Sequence, residues 1–367
     1  MSYSMLLFWY NKNIDRNKCL FSSVNSNFNN EYIQSSKFLS NNSFVIINEK
    51  SIIKYYFDYN NLKKEIESVN LSNKFREPDY IYDYDIINNN TEKPLICLCS
   101  KDNPIRILNY DLSIVKSFSL ENKIKEKFLF STFIKYEEFG INIYTGKNFL
   151  SKIDLIKQKE IFTKFNKNYN YLSSFDFNPK YSCYFIGSYS NNLLMSDYKT
   201  DKIIDIFQQE KPVNQIKLLN SKMYQMLIGY RNSDYICLFD IRKMNKYVNK
   251  LERNALTTKK INFILDKDEN EIYCGNLDGN IIKYSLNNGI NTNESYENNF
   301  IKEEINYGIN NYITSIDLEN KYKLLLITYG KKYNTIINSS ENYSDIEENI
   351  DEEKECNFGI YKIWFIW

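Results

Sequence analysis

Residues 272–286 read IYCGNLDGNIIKYSL. Apolar residues alternate on both sides of a Gly-x-x-Asp-Gly segment, which predicts two strands joined by a short turn. Asp278 and Gly279 carry the turn chemistry, and Gly275 and Asp240 read as further turn-fixing residues. The same unit recurs: apolar strand, small residue, polar turn, second apolar strand. It stands at 44–58 (FVIINEKSIIKYYFD), 95–111 (LICLCSKDNPIRILNYD), 142–155 (NIYTGKNFLSKIDL), 184–198 (YFIGSYSNNLLMSDY) and 227–243 (LIGYRNSDYICLFDIRK). A last copy is split between LLLITYG (324–330) and FGIYKIWFIW (358–367).

Ile53, Ile107, Ile153, Leu194, Cys237 and Ile282 mark the second strands. They are 54, 46, 41, 43 and 45 residues apart. That is close to the period of roughly 40–45 residues expected for a WD40 blade. A β-sandwich would lack a sustained long period, and a β-helix would show a shorter one. The sequence therefore predicts an all-β, WD40-type propeller of seven blades, one domain over 1–367. Asp240 takes the Asp place of the WD dipeptide, with Phe239 for Trp, and Trp364 takes the Trp place in the last unit. Helical periodicity is weak outside NLKKEIESV (61–69). MLLFWY (5–10) and IYKIWFIW (360–367) are both strand-like and expected to share the last blade. Residues 339–356 carry a block of Asp and Glu that cannot bury apolar area, so 334–357 is expected to be a disordered acidic loop inside that blade.

Composition narrows the function. The chain has 367 residues with 47 basic and 46 acidic side chains, so no whole-molecule field attracts nucleic acid; such binding needs a local patch. Asn, Lys, Ile and Tyr are over-used, in keeping with an AT-rich coding sequence, and Lys or Asn runs alone carry little weight. Histidine is absent, which removes Ser-His-Asp and Cys-His pairs and the HExxH zinc site. No GxxxxGK[ST] or GxGxxG occurs. Seven cysteines without CxxC suggest a reducing compartment and no metal centre. The opening MSYSMLLFWYNKN lacks a basic n-region, and no stretch approaches 18 apolar residues, so neither signal peptide nor membrane span is expected. No enzyme, cofactor or small-molecule substrate is expected.

Just before the last complete unit stands RNALTTKK (253–260), a richer connector than a hairpin needs. With EPDYIYDYD (77–85), SKDNPIRILNYD (100–111), 173–198 and IGYRNSDYICLFDIRK (228–243), it resembles, in collinear order from about residue 35 onward, the telomerase Cajal body protein 1 family of WD-repeat RNA-binding proteins. The sequence departs from that family in several Trp positions held by Phe or Tyr, in a shortened Thr-Thr to Ile interval, and in lacking the basic, Pro-rich tail of animal members. The resemblance implies a non-catalytic nuclear module. Its partners would be a loop motif in small nuclear RNA of the H/ACA class, telomerase RNA in some lineages, and proteins of those particles. The alternative is a generic WD40 interaction scaffold, for example in pre-mRNA splicing.

RNA loops are held by bases stacked on aromatic or guanidinium planes and by phosphates on Lys or Arg. On that view Arg253 stacks or forks onto phosphate, Thr257 and Thr258 offer hydroxyls, and Lys259 and Lys260 supply charge. Arg231, Lys101 and Arg106 are further candidates. The plainer alternatives stay open: Thr-Thr capping a turn, Arg231 bonding its own blade, and Asn103-Pro104 as a turn signal. Arg242 and Lys243 read as a solvated edge.

Overall fold

The computed structural model describes residues 19–24, 32–40, 42–63, 65–87, 93–118, 133–136, 141–145, 149–154, 159–164, 169, 171–178, 182–200, 202–222, 224–286, 300–309, 311–319, 321, 324–330 and 356–362. Among these, strands β1 to β28 in chain order pair into seven antiparallel four-stranded sheets. One sheet runs β2 (Ile33–Ser40), β3 (Ser43–Asn48), β4 (Ser51–Asn60), β5 (Glu65–Arg76). The same consecutive order holds from β6 (Ile81–Ile87) to β9 (Ile114–Phe118) and from β10 (Phe133–Tyr136) to β13 (Lys159–Lys164). It holds again from β14 (Leu172–Asn178) to β17 (Ile203–Gln208), from β18 (Val213–Leu218) to β21 (Tyr247–Glu252), and from β22 (Phe263–Leu265) to β25 (Phe300–Asn306). The remaining sheet breaks it. β26 (Ile313–Glu319), β27 (Leu324–Gly330) and β28 (Cys356–Lys362) are followed by β1 (Cys19–Val24), which pairs with β28 from Cys19 opposite Tyr361 to Val24 opposite Asn357.

The arrangement is that of a β-propeller. Five sheets, starting at β2, β6, β14, β18 and β22, have described side chains on all four strands and form its blades. Each repeated unit of the sequence falls on the second and third strands of a sheet. Second strands are buried on both faces because another sheet lies on each side. SFVIIN of β3 and CYFIGS of β15 (Cys183–Ser188) are buried at every position. A strand covered on both faces reads as a continuous apolar run. Fourth strands face solvent, and IIDIFQ of β17 and FIKEEIN of β25 are mostly exposed.

Apolar clusters fill the space between successive sheets. Val45 and Ile52 pack on Ile81 and Leu98, Phe185 and Leu193 on Ile216 and Ile228, and Leu227 and Ile236 on Phe263 and Ile272. Leu324 and Leu326 of β27 pack on Phe44 and Phe57. Each such side chain contributes about 1.5–3 kcal/mol on burial. Cys97 and Cys99, two apart on β7 (Leu95–Ser100), join one cluster, as the two-residue period of a strand requires. Cys97, Cys99, Cys183, Cys237 and Cys274 are buried free thiols.

Polar clasps join the first strands, which sit innermost. Asp176 Oδ2 accepts from the Leu218 amide at 2.6 Å, and Asp317 Oδ2 from the Phe38 amide at 2.7 Å. The Gln215 carboxamide takes both the amide (3.0 Å) and the carbonyl (2.8 Å) of Phe263. A second device recurs on third strands. Lys54 is fully buried, its Nζ 3.2 Å from the Tyr110 ring centroid and donating to the Tyr110 carbonyl at 2.7 Å. Lys152 does the same with Tyr198, at 4.5 Å and 2.8 Å. Each amine is thereby hydrogen-bonded and set against a ring face, which offsets its desolvation.

Several expectations are corrected. NLKKEIESV is not helical where it is described: 61–63 form a turn and 65–69 open β5, whose Ile66 packs with the first-sheet core. The strand that joins β28 is CLFSSV (19–24); residues 5–10 lie outside the described residues. So does most of 334–357, of which Cys356 and Asn357 open β28. Gly275 ends β23 (Glu271–Gly275) rather than sitting in a turn. A Cβ there would run into Ile313 of the next sheet. Gly279 does sit in the turn, at φ 88°, where a Cβ would overlap the Ile309 carbonyl. Asp278 Oδ1 accepts from the Asn280 amide at 3.1 Å. Asp240 closes its turn through bidentate bonds from Arg242, at 2.9 and 2.6 Å, which hold its carboxyl below the usual range.

Candidate nucleic-acid interface

In an up-and-down four-stranded sheet, the turns between second and third strands lie at one end. The connections from a fourth strand to the next first strand lie at that same end. Residues from these positions converge on a cavity of 430 Å³ at the mouth of the central channel. Tyr32 stands before β2, Tyr80 leads into β6, and Tyr82 and Tyr84 lie within it. Tyr171 precedes β14, and Tyr189 sits in the turn between β15 and β16 (Asn192–Asp197). All six tyrosines are half-buried. Tyr80 and Tyr82 meet edge to face, centroids 5.7 Å apart. Burial pushes both hydroxyls up to about 12, so they are neutral donors at neutral pH.

Three cations share the cavity: Arg231, Lys259 and Lys260. Arg231 lies in the turn between β19 (Gln225–Tyr230) and β20 (Tyr235–Asp240). Its guanidinium sits 4.9 Å from the Tyr189 ring centroid, while Nε donates to the Thr258 carbonyl at 2.9 Å. Lys260, just before β22, reaches Asp83 of β6 at 3.5 Å. Burial pushes the Asp83 carboxyl up, and Lys260 opposes that shift.

Adjoining the mouth along the channel is a cavity of 320 Å³ lined largely by first strands. There Lys37 pairs with Asp85 at 3.0 Å. Burial works against the Lys37 charge, but Asp85 and its neighbours outweigh it and its pKa rises. Burial pushes the Asp317 carboxyl up to about 6, against Lys37 and the Phe38 amide. Among the described residues no group of three or more His, Cys, Asp or Glu is placed to hold a metal ion, and no helix is long and apolar enough to cross a membrane.

The sequence candidates divide. Thr258, Lys259, Lys260 and Arg231 line the mouth. Thr257 caps the turn: its hydroxyl accepts from the Lys259 amide at 3.2 Å and its carbonyl from the Asn232 amide at 2.9 Å. Arg253 does not face solvent as expected. It is 4% exposed, and Nη1 donates to the Ile261 carbonyl at 2.9 Å. Burial lowers its pKa, and its Nε is unpartnered among the described residues. Gly229 leaves room for the neighbouring Phe263; a Cβ there would come 3.1 Å from that ring, and at 3.7 Å would only touch Arg253 Nη2. Arg106 is likewise engaged, 2.5 Å from the buried Glu77 carboxylate. Lys101 does not line the mouth; its amide bonds the Tyr80 carbonyl at 2.8 Å. The six tyrosines do not stand out as contacts in the sequence. YIYDY at 80–84 is the available signal, diluted by 32 tyrosines in the chain. No family model matches this chain, and no curated protein is similar to it.

Proposed function

We propose that this chain is a non-catalytic, single-domain WD40-type propeller of seven blades that binds single-stranded RNA at the mouth of its channel. One observation carries the reading: six tyrosines and three cations converge on one cavity. Aromatic faces stack bases and cations hold phosphates, the two elements of loop-RNA recognition. The resemblance to the telomerase Cajal body protein 1 family points to H/ACA-type small nuclear RNA as the ligand. A nuclear site of action and RNP protein partners rest on the same resemblance. Crosslinking followed by sequencing of the bound RNA tests the reading, with an Arg231/Lys259 to Ala variant beside the wild type. Recovery of a few small nuclear RNAs by the wild type and not by the variant supports it; background RNA in both overturns it.

A second reading, an interaction scaffold, draws on the fourth strands. Ile114, Val115, Ile204 and Ile301 are each at least half exposed there. It predicts a set of bound proteins that survives nuclease treatment.

A further inference from the structure

Among the described residues that line the mouth there is a single carboxylate, and its place bears on which base enters; this inference rests on the RNA reading above. Asp83 lines both the mouth and the channel, so it forms the floor of one and the rim of the other. Lys260 lies 3.5 Å from its Oδ2, and the Tyr84 amide also bonds it. An ionised carboxylate accepts at about four lone-pair sites, so these two partners leave capacity toward the mouth. Tyr82 and Tyr84 flank it in sequence and line the same cavity.

Charge narrows the guest. Three cations face one carboxylate among the lining residues, which disfavours a methylated amine and favours a group carrying phosphate. Hydrogen-bonding pattern narrows it again. Guanine alone among the four RNA bases presents two adjacent donors, N1–H and N2–H, on its Watson–Crick edge. A carboxylate accepts both at once. Adenine and cytosine each offer one amino group beside a ring acceptor, and uracil offers one N–H between two carbonyls; each sets a lone pair against the carboxylate.

We propose that the mouth selects guanine, with Asp83 accepting its N1–H and N2–H, a tyrosine face stacking the ring, and Arg231 and Lys259 holding the flanking phosphate. Lys260 acts as a positioning residue that keeps Asp83 ionised and aimed.

The test compares three heptamers on the full chain: oligouridylate with a central G, a central inosine or a central A. Each is titrated into wild type and Asp83→Asn. The wild type is expected to bind the G oligomer about tenfold more tightly than the A oligomer, with inosine between, since one charge-assisted bond is worth about that factor. In Asp83→Asn the preference for G over A is expected to be lost, because a carboxamide accepts only one of the guanine donors and offers its own N–H to the adenine N1 acceptor. Equal binding of G and A by the wild type overturns the guanine assignment and leaves the RNA reading standing. A preference that persists in Asp83→Asn overturns the role of Asp83. Failure of the wild type to bind any of the three overturns the RNA reading itself.

Discussion

The Arg253 guanidinium donates to the Ile261 carbonyl, 2.9 Å away and eight residues further along the chain. That bond draws the connector between β21 and β22 into a loop and aims Lys259 and Lys260 at the mouth. Arg253→Ala is expected to lower global stability by about 1–3 kcal/mol, the cost of removing a buried charge-assisted hydrogen bond. Urea denaturation measures it. An unchanged midpoint, together with abolished RNA binding, would return Arg253 to the contact surface.

Arg231→Ala and Lys259→Ala should weaken RNA binding with little effect on the melting temperature. For single strands, removing one cation that neutralises a phosphate should flatten the dependence of log affinity on log salt by about 0.7. Thr258→Ala makes a useful contrast. Arg231 bonds the Thr258 carbonyl rather than its side chain, so this variant should bind RNA as the wild type does unless the hydroxyl itself touches the ligand.

Gly279→Ala should destabilise the protein by about 2 kcal/mol or more, because it combines a left-handed φ with overlap on the Ile309 carbonyl. Thermal melting of the purified variant, or its failure to accumulate as folded protein, checks this.

The Asp317 carboxyl is pushed up to about 6 by burial, against an unfolded value of about 3.9. Between these values the folded chain holds this proton more tightly than the unfolded chain does. The stabilisation this group contributes is therefore present below about pH 4 and is lost as pH rises toward 6. Asp317→Asn does not titrate there. The stability of the wild type relative to this variant should fall across that window and level off above it. Paired denaturation curves at pH 4.5 and 7.5 measure the difference; a gap that widens in favour of the wild type at the higher pH would mean that Lys37 and the Phe38 amide prevail over burial.

The pairs of second and third strands were legible because each is coded locally. A doubly buried strand is an unbroken apolar run, and its turn carries Gly, Asn or Asp. Half of the connector was legible too: Lys259, Lys260 and Thr258 do face the mouth. Arg253 was not, because nothing local distinguishes an arginine that folds back on its own loop from one that points outward. Arg106 misled in the same way; Glu77, its partner, lies 29 positions earlier and on another segment. The mouth itself could not be read. Its tyrosines come from positions 32, 80, 82, 84, 171 and 189 and meet only when the sheets are set around a common axis. NLKKEIESV shows the converse error, where good helix formers line up in a segment that pairing with β4 holds extended.

β1 lies against β28 although more than 330 positions separate them in the chain. On the ribosome, then, β1 is made before the other described strands and is the last of them to find its partner. Until β26 and β27 emerge, β2 has neither behind it, and until β28 follows, β1 has no strand to pair with. The intermediate waits as an open arc with two unsatisfied ends, and that interval is when it is exposed to chaperones, to proteases and to other arcs of the same kind.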